Sequence, residues 1–265
     1  MIASMDNARS SAVVTLSVWN ALFLREAISR VTSGRVAWLW LFLEPVLHLT
    51  VLMVIFSMIQ RQVTQGIDFA LFLAIGVLGY NLFRNSATRS MAAISANRAL
   101  FAYRQVKAVD VVLVRAFLEG VVQLLVALLV FSGMALFGFN AIPADPMGVF
   151  VVFALLWLAG TGLGLILSVG STLVPEIGRL VSLFFIPLYF LSGVMFPPSM
   201  LPAALFELLL WNPILHGLEV MRAAFIPGYH LLNGIEVGYL TAFAFASFFF
   251  GLAVHRRFSS RLMMQ

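Results

Sequence analysis

A glutamate and a histidine interrupt an otherwise apolar run near the start of the chain. Glu44 and His48 have a helical i,i+4 spacing that puts both side chains on one face, and Pro45 removes a backbone donor beside them. Ionisable groups in such a run mark a polar path or a pair that neighbouring helices satisfy. Three interpretations therefore stay open: a structural pair, part of a hydrophilic pathway, or a proton relay. Arg115 and Glu119 repeat the spacing, and for them the sequence predicts an interfacial ion pair.

Few other residues could support catalysis or metal binding. The chain has no cysteine, which excludes disulfides, thiolate nucleophiles and Cys-ligated metal centres. Its single lysine, Lys107, lies in no Gly-rich phosphate loop, so any ATP that drives the protein is expected on a separate subunit. His216, His230 and His255 lack a metal-ligand spacing and are interpreted as interfacial polar residues. The sequence predicts no catalytic residue, metal site or cofactor on this chain.

The composition is that of an integral membrane protein. Hydrophobic residues make up 62% and charged residues 10% of the chain, and the mean hydropathy is +1.03. The net charge is +5, but the basic residues form short clusters between apolar runs, a pattern typical of membrane topology rather than nucleic-acid binding. Residues 1–265 therefore form a single transmembrane domain with no room for a soluble catalytic domain.

The apolar runs predict an all-α, polytopic membrane protein with six crossings. An even number of crossings places both termini on one side of the membrane. All the basic residues except Arg61 and Arg222 fall on that side or at its helix ends, which predicts cytoplasmic termini. The predicted spans are residues 36–59, 69–87, 121–139, 148–169, 180–196 and 235–254.

Two cytoplasmic segments flank the first spans. Residues 1–35 are predicted as a tail with an amphipathic helix in the membrane interface, because Arg25 and Arg30 share one face and Ile28 lies on the other. The loop at residues 88–108 is basic and carries Phe101 and Tyr103, aromatic residues that are costly to leave in water. It is interpreted either as a solvated loop that follows the positive-inside bias or as a docking helix for a partner protein.

Small and short segments add two further predictions. Residues 197–234 hold two apolar stretches that are too short to cross a bilayer, so they are expected to form external re-entrant half-helices before the last span. Gly160 and Gly164 form a small-xxx-small pair, which favours close helix packing inside the subunit.

The external segment also carries a specific pattern. The stretch SGVMFPPSMLPAALFELLLWNPILHGLEVMRAAF resembles the signature that precedes the last membrane helix of type 2 ABC exporter permeases. The cytoplasmic stretch SATRSMAAISANRALFAYRQVKAVDVVLVRAFLE and the opening LWLFLEPVLHL are similar to the branch that exports capsular polysaccharide in Gram-negative bacteria. O-antigen and teichoic acid export permeases are near relatives of that branch.

The resemblance implies partners and a location. Such permeases are homodimers in the bacterial inner membrane, and each subunit binds one of two ATP-binding subunits, which hold ATP and magnesium. The dimer conducts lipid-linked polysaccharide from cytoplasm to periplasm. A periplasmic co-polymerase and an outer-membrane export channel are further implied partners.

Candidate site residues follow from the polar positions and from the resemblance. Four polar residues in or beside the first two predicted spans are expected to line a substrate pathway: Glu44, His48, Arg84 and Arg89. The two arginines would favour anionic lipid-phosphate or acidic sugar units at the entrance, although they could equally be topology anchors. By the resemblance, residues 93–104 are the coupling helix for the ATPase, with Ile94, Asn97, Arg98, Phe101, Tyr103 and Arg104 as contacts. The implied periplasmic cap contains Pro202, Asn212, Pro213, Glu219 and Arg222.

Two other functions are compatible with the hydropathy. One is a membrane-embedded transferase that acts on lipid-linked sugars, although the acidic pairs or histidine set expected of it are scattered here. The other is a scaffold that assembles a biosynthetic complex, for which polar residues inside the spans would be unnecessary.

Overall fold

The computed structural model is built from helices over the residues it describes, which are 11–32, 37–57, 68–103 and 105–263. Polar side chains cap the N-terminal ends of several helices: the Asp68 carboxylate accepts from the Ala70 N–H, and the Asn212 side chain accepts from the Ile214 N–H. The helices are α1 (Ser11–Thr32), α2 (Ala37–Ser57), α3 (Phe69–Met91), α4 (Ala93–Ala96), α5 (Ala108–Leu136), α6 (Pro146–Leu173), α7 (Glu176–Leu191), α8 (Ala203–Leu209), α9 (Pro213–Phe225) and α10 (Val237–Met263), with 3-10 turns at Arg98–Ala102 and Pro198–Met200.

Three of the described helices are long and apolar enough to cross a bilayer. They are α5, α6 and the Val237–Ser259 part of α10, and α2 adds a shorter apolar stretch at Phe42–Ile55. The sequence-based prediction of a polytopic helical membrane protein is supported by these elements. The six crossings stay a prediction.

Several helices differ in length from the predicted spans. α5 begins at Ala108 rather than at residue 121, because the Asp110 carboxylate accepts from the Lys107 N–H and so starts the helix among charged residues. α10 continues to Met263 instead of ending at residue 254. α7 ends at Leu191, short of residue 196, where Gly193 turns the chain with a φ of +67°.

α3 is the central helix of the described fold. Its residues from Phe72 to Val77 are all buried, and it packs against α5, α6 and α9. A segment this thoroughly enclosed cannot face lipid along the N-terminal half of α3, so the polar groups farther along the helix are held in a fixed position by the core.

α6 packs closely on two sides because it carries small residues on both. A Cβ atom at Gly160 or Gly164 would collide with α3, at the Phe83 carbonyl oxygen or at the Ser90 side chain. A Cβ atom at Gly162 would collide with α10. The predicted intrasubunit packing of the glycine pair is therefore confirmed, and α3, α6 and α10 form one tight layer.

α1, α2 and α7 lie at the outside of this layer. α7 exposes Leu183, Phe184 and Ile186 and buries only Phe185. α1 exposes its apolar face, including Ile28, while its charged face is turned toward the protein. In a membrane the exposed apolar faces of these helices would contact lipid or another subunit.

Candidate functional site

A polar cleft lies between α2, α3 and α5. The volume of the cleft together with its open mouth is about 660 Å³. α2 contributes Glu44 and His48, which the helical spacing places on one side, with Pro45 between them. Both side chains are exposed rather than packed against neighbouring helices. The pathway role of the two residues stays a prediction.

α3 supplies the second wall of the cleft. Asn81, Arg84, Asn85 and Arg89 line it, and the spacing of three and four residues keeps them on one helical face. Both arginines are exposed. The structure thus brings together all four predicted pathway residues.

The third wall contains charges that the sequence did not single out for the pathway. Arg30 of α1 donates from Nη1 to Glu119 Oε2 at 2.7 Å, and Gln123 donates to the other carboxylate oxygen at 2.9 Å. Glu119 is buried, so this bonding replaces the water that the carboxylate would otherwise need. Arg115 pairs instead with Glu26 of α1, at 2.9 Å. The predicted Arg115–Glu119 pair is therefore replaced by two pairs that join α5 to α1.

The lining of the cleft suits an anionic, hydrogen-bonding ligand. Three guanidinium groups face two carboxylates, and two asparagines and a glutamine add neutral donors and acceptors. Guanidinium groups bind phosphate and carboxylate in a bidentate manner. Among the described residues, no group of three or more His, Asp or Glu side chains could hold a metal ion.

The segment between α3 and α5, residues 93–103, follows the C-terminal end of α3, and we call it the α3–α5 segment. It was predicted as one helix over 93–104, and this is wrong: Asn97, with a φ of −121°, separates α4 from the 3-10 turn. The Asn97 amide donates to the Ala93 carbonyl at 2.9 Å, which ends α4. The last predicted contact, Arg104, lies outside the described residues.

The predicted contact residues of this segment fall into two groups. Ile94 and Asn97 are buried and hold the segment on the protein. Arg98 is exposed, Phe101 is half-buried, and Tyr103 is 61% exposed. An aromatic side chain with that exposure is available to a partner protein.

An apolar groove separates the α3–α5 segment from α1. The volume of the groove together with its open mouth is about 890 Å³, and Val14, Val18, Leu100, Tyr103 and Val106 are among its lining residues. Arg25 stands beside it and donates to Asn97 at 2.9 Å. A partner that contacts Tyr103 would therefore also meet α1.

At the opposite end of the fold, α9 carries a buried charged cluster. Arg222 Nη1 donates to Glu219 Oε1 at 2.6 Å, and Nη2 donates to the Val194 carbonyl at 3.1 Å. The guanidinium carbon lies 3.5 Å from the centre of the Phe72 ring. These bonds connect α9 to the turn after α7 and to α3.

The cluster has a phenol and a glycine as further members. Tyr229 donates to Glu219 Oε2 at 2.8 Å, and its burial, with a smaller contribution from the Glu219 carboxylate, raises the pKa of the phenol. A Cβ at Gly76 would come within 2.5 Å of Arg222 Nη2, so only glycine leaves room for the guanidinium.

The other predicted cap residues lie on the connection before α9. Two short helices, α8 and α9, occupy the predicted external segment. Pro202 precedes α8, and Pro213 is the first residue of α9. The Asn212 amide donates to Ser192 Oγ at 3.0 Å, which connects the start of α9 to the end of α7.

Two histidines expected at the interface are instead buried between helices. His216 Nε2 donates to the Leu210 carbonyl at 2.8 Å, and Nδ1 accepts from the Glu236 N–H at 3.0 Å. His255 lies 2.9 Å from Ser168 Oγ. His216 and Glu236 are 20 positions apart and His255 and Ser168 are 87 positions apart, so the local sequence gave no signal of these two bonds.

Comparison with known proteins gives the chain a family. The family model described as ABC-2 type transporter matches residues 17–226. The matched range includes all three walls of the polar cleft, the α3–α5 segment and the charged cluster of α9.

Curated relatives match over nearly the whole chain. A polysialic acid transport protein, KpsM, of Escherichia coli is 35% identical over 94% of this chain and 96% of its own. The capsule polysaccharide export inner-membrane protein CtrC of Neisseria meningitidis is 26% identical over 94% of each chain. An O-antigen export system permease protein, RfbA, of Klebsiella pneumoniae is 23% identical over 88% of each chain.

Proposed function

Because the chain belongs to the ABC-2 type transporter family, we propose that it is the membrane-spanning permease of an ATP-driven exporter of lipid-linked capsular polysaccharide. The export runs from cytoplasm to periplasm. The chain is a transporter subunit and not an enzyme, and ATP and magnesium bind a separate subunit. Capsule export is favoured over O-antigen export because the polysialic acid transport protein is 35% identical and the capsule export protein CtrC 26% identical to the chain, whereas the O-antigen permease is 23% identical.

The polar cleft is the observation that carries this proposal. Its guanidinium groups would attract the phosphate or acidic sugars of a polymer with a lipid anchor, since focused positive charge raises the local concentration of anions. Glu44 and Glu119 limit that attraction, because a transported group must also leave. The carboxylates and asparagines would then exchange hydrogen bonds with sugar hydroxyls as the polymer moves.

In the proposed topology, the chain crosses the bacterial inner membrane six times and both termini are cytoplasmic. α2, α3, α5, α6, α7 and α10 would be the crossings, and α1 would lie in the cytoplasmic interface with its exposed apolar face toward lipid. The exposed arginines at the end of α10 agree with the positive-inside bias.

The α3–α5 segment would receive the ATP-binding subunit. Tyr103 and Phe101 provide aromatic anchors beside the apolar groove, and such anchors dominate protein interfaces. The working unit would be a homodimer with two ATP-binding subunits, in which ATP binding moves these segments and the movement opens the path.

The α8–α9 region would cap the periplasmic end of the path. Arg222, which is paired with Glu219 within α9, contacts the Phe72 ring of α3 and the Val194 carbonyl, so the cap has a rigid base. A periplasmic co-polymerase and an outer-membrane channel would continue the route beyond this cap.

The proposal is tested by export in cells. Deletion of the gene should leave lipid-linked polymer in the cytoplasm and remove it from the cell surface. Complementation with Arg84→Ala/Arg89→Ala should restore little surface polymer, whereas Arg256→Ala, a matched exposed arginine outside the cleft, should restore it fully.

Two results would contradict the proposal. Normal surface polymer in the deletion strain would exclude an export role. Glycosyl transfer by the purified chain without an ATP-binding subunit would favour the transferase instead.

A further inference from the structure

A second large cavity opens between α5 and α6, and we call it the α5–α6 pocket. The volume of the pocket together with its open mouth is about 1150 Å³. α3 contributes Ile75, Leu78 and Gly79 to its lining, and α9 contributes Met221 and Phe225. Because these residues of α3 and α9 are buried, the pocket extends from the outer surface of the fold to its central helix.

The lining of the α5–α6 pocket is apolar. Gln123 and Ser132 are the polar side chains among the described residues that line it, and none of these lining residues is charged. The Gln123 amide already donates to Glu119 at 2.9 Å. Water in such a cavity would lack hydrogen-bond partners, and an empty cavity would lose van der Waals contacts along its walls. The chemistry of the lining therefore suits a hydrocarbon occupant.

The mouth of the pocket lies on a surface suited to lipid. α5 and α6 are both long and apolar enough to cross a bilayer. Leu128 of α5 and Phe150 of α6 line the pocket and are 56% and 59% exposed, and Ile142 in the connection between the two helices is 70% exposed. In a membrane, the hydrocarbon that covers these side chains is continuous with the interior of the pocket.

The length of the pocket matches one leaflet of a bilayer. Along α5 the lining extends from Gln123 to Ala135, which is roughly 18 Å at about 1.5 Å of rise per residue. The hydrocarbon core is about 30 Å thick, so one leaflet provides roughly 15 Å. A crossing helix of another protein would need a groove along the full thickness, whereas an acyl chain needs only this length. The length therefore favours a lipid tail over a partner helix.

The pocket also lies beneath α9. Met221 and Phe225 face the pocket, while Arg222 contacts the Phe72 ring of α3. The Phe225 ring packs on Phe131 of α5, with 4.5 Å between the ring centroids. One side of α9 is thus held by a buried arginine, and the packing of the other side depends on what fills the pocket.

We propose that the α5–α6 pocket binds one acyl chain of a bilayer phospholipid, and that this chain completes the packing beneath α9. Because the lining has no charge, the tail and not the headgroup is recognised. The leaflet follows from the proposed topology, which opens the pocket to the periplasmic leaflet. The lipid site itself does not depend on polysaccharide export.

The first test measures, by native mass spectrometry, the phospholipid that stays with the purified chain after extensive washing in detergent. The unaltered chain should retain one phospholipid. Ala127→Trp and Ala135→Trp should each lower the retained amount at least about tenfold, because the indole and the tail cannot occupy the same space. Ala246→Trp, at an exposed alanine of α10 outside the pocket, should retain the lipid.

Two outcomes of this test would overturn the proposal. One is equal retention in all three variants and the unaltered chain, which would show that the lipid binds elsewhere. The other is loss of the retained phospholipid when the chain is made in cells without polysaccharide, which would assign the pocket to the lipid anchor of the polymer.

The second test uses vesicles of phosphatidylethanolamine and phosphatidylglycerol with a photoreactive diazirine in one acyl chain. A tail inside the pocket should label Leu78, which is only 6% exposed, as well as Phe150 at the mouth. Labelling of Phe150 without Leu78 would show that lipid only surrounds the protein and would overturn the site. Loss of the Leu78 label in the complete complex would assign the pocket to a helix of a partner protein and would also overturn it.

The third test asks whether the tail supports the fold. Adding the same phospholipids to delipidated chain in detergent should raise the unfolding midpoint of the unaltered chain and of Ala246→Trp. The midpoint of Ala127→Trp should not respond, because its pocket is already filled, and Ala135→Trp repeats the measurement if Ala127→Trp fails to fold. Pocket variants that respond like the unaltered chain would overturn the proposal. None of the three tests measures export, so a failure of the proposed function leaves their outcomes unchanged.

Discussion

Arg222 offers the sharpest test of what holds the external helices in place. It is the largest of the fully buried side chains in the described part of the chain, and it bonds Glu219 and Val194 while covering the Phe72 ring. Arg222→Ala removes these contacts together. The Glu219 carboxylate is left buried with Tyr229 as its remaining side-chain donor.

The expected loss of stability follows from that unpaired charge. Removing one partner of a buried ion pair costs about 3–5 kcal/mol, because the remaining charge stays desolvated. Replacing both charges, with Glu219→Gln/Arg222→Met, should cost clearly less, since no charge is then buried alone. Arg256→Ala, at an exposed position, should change stability by no more than about 0.5 kcal/mol.

The assay heats the purified protein in detergent and measures, at each temperature, the fraction of the protein that remains monodisperse. The expected order of stability is Arg256→Ala, then the double variant, then Arg222→Ala. Equal stability of Arg222→Ala and the unaltered protein would refute the reasoning, as would a double variant that is less stable than Arg222→Ala.

Three further predictions concern packing, docking and pH. Gly160→Leu should prevent α3 and α6 from approaching and lower the yield of folded protein severalfold, whereas Gly133→Ala, with open space around its Cβ, should be neutral by the same expression assay. Phe101→Ala/Tyr103→Ala should reduce recovery of the ATP-binding subunit in a pull-down, and unchanged recovery would argue against docking there. The pKa of Tyr229 is raised in the folded state, so the contribution of Tyr229 to the stability of the folded protein is complete below about pH 10, the ordinary tyrosine value. This contribution is lost as the pH rises through the raised pKa. A pH series of unfolding midpoints should show the loss, and Tyr229→Phe should abolish it.

Much of the fold could be predicted because hydropathy and length reflect the bilayer directly. The polar groups of α2 were identified as a possible path because a charge in an apolar run is costly, and the structure brings Glu44 and His48 to one cleft with Arg84 and Arg89. Helical spacing was sufficient to place Glu44 and His48 on one face, but their position opposite Arg84 and Arg89 depends on the packing of α2 against α3.

The remaining features depend on contacts between residues far apart in the chain. Nothing local to Glu119 indicates Arg30 as its partner, because 89 positions separate them. The start of α5 was also missed: the predicted span begins at residue 121, whereas Asp110 caps and Arg115 anchors a helix that begins at Ala108. Asn97 divided the predicted helix at 93–104 through a side-chain bond that propensity does not include.

The inward charged face of α1 has a consequence for the order of assembly. Glu26 and Arg30 leave the ribosome before Arg115 and Glu119 have been made, so the nascent helix meets the membrane with its ion-pair partners still missing. Its apolar side can enter the lipid surface at once, but the charged side must stay hydrated until α5 has been inserted. Packing of α1 against α5 is therefore a late step of biogenesis, and defects in α5 insertion should leave α1 accessible to protease.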